Sequence, residues 1–127
     1  MLFDTDVLIW VFRGNDSAAK TLDDHPNRLI SIVTYMELVQ GARSRKEVGQ
    51  IKDFLADAAV EVVPLTENIG HRASIYVEEY GMGTAMGVAD ALIAATAVEN
   101  HLALCTANHR HYRQINKLDL VVFQLSG

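Results

Sequence analysis

Short apolar runs alternate along this chain with longer stretches in which apolar residues recur every three or four positions. That alternation is the mark of strand and helix units wound around a parallel sheet. Five runs predict strands: Leu2 to Asp4, Leu29 to Val33, Val60 to Val63, Leu102 to Cys105 and Leu120 to Phe123. The third stops before Pro64 and the fourth before the polar segment Thr106-Ala107-Asn108. Helical spacing predicts helices near residues 6 to 13, 17 to 24, 34 to 58 with a break around Gly41 to Arg45, 67 to 80 and 87 to 99. Within the last of these, Ala89 to Val98 is apolar on nearly every side, which predicts a helix packed on more than one face. The one glycine-rich loop, Gly81 to Gly87, leads into it. With no repeat, low-complexity tract or linker, the expected architecture is a single α/β domain over residues 1–127: a mostly parallel central sheet of about five strands flanked by helices.

Bulk numbers narrow the function without naming it. A chain of 127 residues, 50% apolar and 21% charged, is long enough to bury one real core. Its net charge of −5 argues against a broadly basic surface for nucleic acid, although a local patch or a metal ion still holds a phosphodiester. Cys105 is the single cysteine, so an internal disulfide and a multi-cysteine zinc site are excluded, and its apolar neighbours predict a small buried side chain. The first apolar run carries two aspartates and no basic flank, unlike a signal peptide, and is too short to span a membrane. A soluble, cytoplasmic protein is expected.

Candidate chemistry comes from three carboxylates set in apolar sequence: Asp4 in the first run, Glu37 just past the second, and Asp90 within Val88-Ala89-Asp90-Ala91-Leu92-Ile93. Buried ionised carboxylates are normally paired, protonated or bound to metal, because an unpartnered one costs several kcal/mol or more. Each has a structural reading as well. Asp4, Thr5 or Asp6 can cap the helix after strand one. Thr34 and Glu37 have the spacing of a capping box, which places Glu37 in a first helical turn, whereas Asp90 as a cap would have Ile93 where a box needs Glu or Gln. In open parallel sheets ligands bind beyond the carboxyl ends of the strands, where Asp4, Glu37 and Asn108 are expected, and Asp90 must cross the end of the sheet to join them. Such convergence favours a divalent metal, and oxygen ligands favour Mg2+ or Mn2+ over zinc. An ion of this kind polarises a phosphoryl oxygen and lowers the pKa of a bound water, which is the chemistry of phosphodiester hydrolysis.

Four stretches in register carry a resemblance: Leu2-Phe3-Asp4-Thr5-Asp6-Val7-Leu8-Ile9, Ser31 to Gly41, Ala89 to Ala97 and Leu104 to Tyr112. Together they resemble the PIN-domain ribonucleases, and among them the VapC-like toxins of toxin–antitoxin pairs, over essentially the whole chain. The resemblance implies an acidic pocket holding Mg2+ or Mn2+ and endonucleolytic cleavage of RNA. It matches Asp4 and Asp90 to the family's principal metal-binding acids and Glu37 to its third acid. Asn108 stands at the fourth catalytic position, where relatives often carry Asp, which puts a second metal in doubt. Thr106 and Asp6 match residues that support the ligands from behind. It further implies a homodimer, neutralised by a cognate antitoxin whose C-terminal segment covers the pocket.

Beyond Asn108, the cluster His109, Arg110, His111 and Arg113 is placed to meet RNA phosphates, and Arg110 and Arg113 are the expected RNA-binding residues. The cluster reads equally as a solvated helix start. Arg43, Arg45 and Lys46 are placed to line the same groove or to face water, and His25, His71 and His101 receive no role. Two rival functions remain. Asp4-Thr5-Asp6 mimics the motif of haloacid-dehalogenase-like phosphatases, but Leu8 and the solitary Asp90 do not fit that pattern. A catalytically silent interaction module, with acids serving only as caps, is the other.

Overall fold

Five strands hydrogen-bond in parallel into one sheet in the computed structural model, which describes residues 1–125. They are β1 (Leu2–Phe3), β2 (Arg28–Ser31), β3 (Val60–Val63), β4 (Leu104–Thr106) and β5 (Leu120–Val122), in the spatial order β3-β2-β1-β4-β5. Six α-helices flank them: α1 (Thr5–Phe12), α2 (Asp16–Asp23), α3 (Ile32–Gln40), α4 (Arg45–Asp57), α5 (Glu67–Tyr80) and α6 (Val88–Glu99). A short 3-10 turn, His109–His111, follows β4.

Successive strand residues face opposite sides of a sheet, and two central strands show what this does to the core. Leu2 and Leu104 bury into one apolar cluster with Ile69 and Ala73 of α5 and Ala91, Ala94 and Ala95 of α6. Their neighbours Phe3 and Cys105 bury into a second cluster with Leu8 of α1, Leu22 of α2, Leu38 of α3 and Leu55 of α4. Helices therefore cover both faces, as a parallel sheet requires. β1 lies between β2 and β4, and its two neighbours are reached by connections on opposite faces. The crevice at the carboxyl ends of β1 and β4 is the topological switch point.

Several boundaries differ from the sequence expectation, three of them for reasons the hydrogen bonds show. β2 stops at Ser31 and not at Val33, because Ser31 caps α3 by accepting a hydrogen bond from Val33 N at 3.1 Å. The β-branched run Ile32-Val33-Thr34 weakens a helix by only tenths of a kcal/mol per residue, and a buried cap outweighs that. β1 likewise stops at Phe3, since Asp4 caps α1 through Thr5 N at 2.8 Å. β4 begins at Leu104, two residues late, because His101 takes a left-handed conformation (φ +55°) at the end of α6 and Leu102 N returns to Ala97 O at 2.9 Å. The expected break in the long helical stretch is real: Gly41 ends α3 and Ser44 caps α4 through Glu47 N at 3.2 Å.

Candidate active site

Asp4 anchors the site at the mouth of the crevice. It is 5% exposed, and its carboxylate is held on both oxygens. Thr5 N donates to Oδ1 at 2.8 Å, while the hydroxyls of Thr106 (2.8 Å) and Tyr112 (2.9 Å) converge on Oδ2. These donors come from the first turn of α1, the end of β4 and the segment after it. Burial, and after it the charge of Asp6, pushes the Asp4 carboxyl up to about 7, with the hydrogen bonds acting in the opposite direction.

Asp90 reaches Asp4 through a single hydroxyl. Tyr112, fully buried, places its oxygen 3.2 Å from Asp90 Oδ1 and 2.9 Å from Asp4 Oδ2. One phenolic proton cannot serve both carboxylates at once. Burial first, then the charges of Asp4 and Asp90, raises the Tyr112 phenol far above its ordinary value, so it remains a neutral donor. Asp90 Oδ2 accepts from Gly87 N at 3.0 Å and lies 3.2 Å from His111 Nδ1. Its position therefore differs from the sequence expectation: Gly87 is the cap, and Asp90 is itself the third helical residue that reaches back to the cap's N–H. An acid one methylene shorter than Glu fills that place, which the search for Glu or Gln after Asp90 overlooked.

Glu37 departs furthest from expectation. Because α3 starts at Ile32, Glu37 lies in its second turn and closes no box with Thr34. Its side chain is exposed, as Asp90's is half-exposed, so of the three acids only Asp4 is buried. Apolar neighbours in sequence do not bury a helical residue; its own face of the helix decides, and Leu38 takes the inward one. Glu37 is nonetheless aimed at the site. Thr5 Oγ1 donates to Glu37 Oε1 at 2.6 Å and lies 2.9 Å from the buried Thr34 hydroxyl, so two threonines fix the carboxylate from below.

Asp6 and Asn108 form a second knot beside the first. Asp6 Oδ2 accepts from Ala107 N at 2.9 Å and from Asn108 Nδ2 at 3.1 Å, while its Oδ1 is buried without a partner among the described residues. Desolvation raises the Asp6 carboxyl. Asn108 also ties its own N–H to Thr106 Oγ1 at 3.0 Å, so its backbone and side-chain N–H groups are both spent on this loop. Arg110 and Arg113 are exposed around this knot, but His111, grouped with them in the sequence, turns inward to Asp90. Cys105 is buried as expected, its thiol pushed up to about 11 by desolvation. Tyr112 had no role in the sequence reading, and Thr5 figured there only as a candidate helix cap. No spacing rule marks Tyr112 within a His-Arg-His-Tyr-Arg stretch that looks solvent-facing.

The PIN-domain family model matches residues 1–117. This chain belongs to the PIN-domain family. It is 35% identical over 125 residues to "Ribonuclease VapC10" of Mycobacterium tuberculosis, covering 93% of this chain and 90% of that protein. Among solved structures, a toxin–antitoxin complex from Klebsiella pneumoniae aligns with a TM-score of 0.82 at 28% identity, over 98% of both chains. DNA-bound VapBC from Salmonella typhimurium shares the fold at a TM-score of 0.81, with 22% identity over 97% of each chain. The resemblance drawn from the four sequence stretches is thus matched along nearly the whole PIN domain.

An all-oxygen donor set suits a hard divalent cation. Asp4 carries the electrostatic strain that such an ion relieves, and Asp6 Oδ1 lies buried and unpartnered beside it. Among the described residues, however, no three acids, histidines or cysteines close on one point. The triad expected from sequence is therefore not preassembled among the described residues.

Proposed function

We propose that this chain is a metal-dependent endoribonuclease, the toxin of a toxin–antitoxin pair, hydrolysing RNA phosphodiester bonds with Mg2+ or Mn2+ at Asp4 and Asp90. One observation carries the reading: two acids from distant parts of the chain meet across one buried hydroxyl at the switch point of a PIN-domain sheet. The 35% identity to a VapC ribonuclease supports the substrate class. Family membership leaves the phosphatase alternative without support.

When bound, a cation here would supply charge for the phosphoryl oxygens and acidify a water. The protein does the rest. Asp4 and Asp90 would hold the ion, and Thr106, Tyr112 and Gly87 hold those acids in place. Glu37, fixed through one oxygen by Thr5, keeps Oε2 free among the described residues to orient the attacking water and accept its proton. Asn108 acts through Asp6, keeping the β4 loop closed on α1, and Arg110 and Arg113 bind flanking phosphates. An apolar groove of about 720 Å³ between α1, α3 and α4 runs to Glu37 and is lined by Ile9, Phe12, Leu38, Ile51 and Phe54, with Arg13 and Arg43 at its rim. It suits an amphipathic segment of the antitoxin. The homodimer is carried by the same family reading.

Asp4→Asn and Glu37→Gln test the assignment together on a single-stranded RNA with Mn2+. Both should lose at least about a hundredfold in kcat while melting within a few degrees of the parent. Full activity of Asp4→Asn would end the metal reading, and unchanged turnover of Glu37→Gln would return that residue to a surface role.

A further inference from the structure

The hydrogen bonds around the two acids determine how each can hold a cation. A carboxylate accepts through about four lone-pair sites, two on each oxygen. On Asp4, Thr106 and Tyr112 fill Oδ2, and Thr5 N takes one site on Oδ1. On Asp90, Gly87 N and His111 face Oδ2, while the Tyr112 oxygen closes one side of Oδ1. With the single Tyr112 proton on Asp4, where the distance is shorter, Asp4 is left with one open site among the described residues, on Oδ1, while Asp90 is held at Oδ2 by Gly87 and His111. Among the described residues, Tyr112 is the only group that hydrogen-bonds to both acids, and its ring is fixed by full burial in the core against which α6 packs.

We propose that Tyr112 is a positioning residue that, together with Thr106, restricts Asp4 to one coordinating oxygen, so that the site accepts a small, strongly hydrated dication and discriminates against Ca2+. The proposal rests on the metal reading above and adds a determinant of metal choice. Mg2+ and Mn2+ are satisfied by one or two single carboxylate oxygens and retain water for the remaining positions. Ca2+ takes six to eight oxygens and commonly draws both oxygens of a carboxylate. Without the Tyr112 hydroxyl, Asp4 Oδ2 regains a lone pair and the Asp4 carboxylate can turn to chelate.

Tyr112→Phe keeps the ring that fills the core and removes only the oxygen. Titration calorimetry of the full chain with MnCl2 and with CaCl2 gives the ratio of the two dissociation constants. The variant should bind Ca2+ more tightly relative to Mn2+, with the ratio of calcium to manganese dissociation constants falling about tenfold. Thr106→Val, nearly isosteric, frees the same Asp4 oxygen from its other side and should move the ratio in the same direction, which preserves the test if Tyr112→Phe fails to melt cooperatively. A ratio less than threefold below that of the parent in the folded variants overturns the proposal, including the case where both metals weaken equally. If the parent itself binds no Mn2+, the metal reading falls and this proposal with it.

Discussion

Asp4 is the residue at which folding and chemistry conflict most directly. Its carboxyl is held at about 7 in the fold, against 3.8 as an isolated group. Between those values the folded protein binds a proton that the unfolded chain has released, so stability falls as pH rises from about 4 to 7 and the full penalty applies above that. In EDTA the melting temperature should therefore rise by roughly 5 °C between pH 8 and pH 5, and Asp4→Asn should remove most of that rise. An equal rise in the variant would place its origin elsewhere. The conflict was legible because an aspartate in an apolar run has few benign explanations. Glu37 was less so: the sequence marks its neighbourhood, but whether the side chain faces inward depends on where α3 starts, and Ser31 decides that. Tyr112 was invisible, since nothing in a run of histidines and arginines shows that one aromatic turns into the core.

At the scale of elements, most helices were readable because each carries its own punctuation. Asn15, Ser44 and Thr66 cap α2, α4 and α5, accepting from Ala18, Glu47 and Ile69 N–H groups at 2.9 to 3.2 Å. The misread junction was β2 to α3, where residues that favour strands had been recruited into a helix. Arg28 shows a kind of support that local pattern does not reveal. From the first position of β2, its guanidinium donates to the carbonyls of Leu22, Asp23 and His25 at the end of α2 and of Ala58 at the end of α4. A cation at two helix C-termini meets both the unpaired carbonyls and the negative ends of the dipoles. Arg28→Ala should cost about 2 kcal/mol by urea denaturation, and Arg28→Lys should recover less than half, because a single ammonium cannot reproduce the planar fork. Far from the crevice, neither change should alter activity per folded molecule.

For the whole molecule, a net charge of −5 and an acidic crevice work against a polyanionic substrate, which gives the few cations near the site unusual weight. Arg110 and Arg113 are exposed beside Asn108 and make no ion pair with a described residue. Replacing both with Ala should raise KM, leave kcat within about threefold, and flatten the log–log dependence of KM on salt by about 1.4, the slope expected for two contacts to single-stranded RNA. A collapse of kcat with the salt slope intact would instead put one of these arginines at the reacting phosphate. The long reach of the bonds that hold Asp4 has a further result. Thr106 and Tyr112 are 102 and 108 residues away along the chain, and β4 supplies one of the two edges of β1. A ribosome making this protein thus adds Asp4 about a hundred residues ahead of the two hydroxyls that converge on it. Until those partners are made, the nascent chain carries the Asp4 carboxylate without the hydroxyls that hold it.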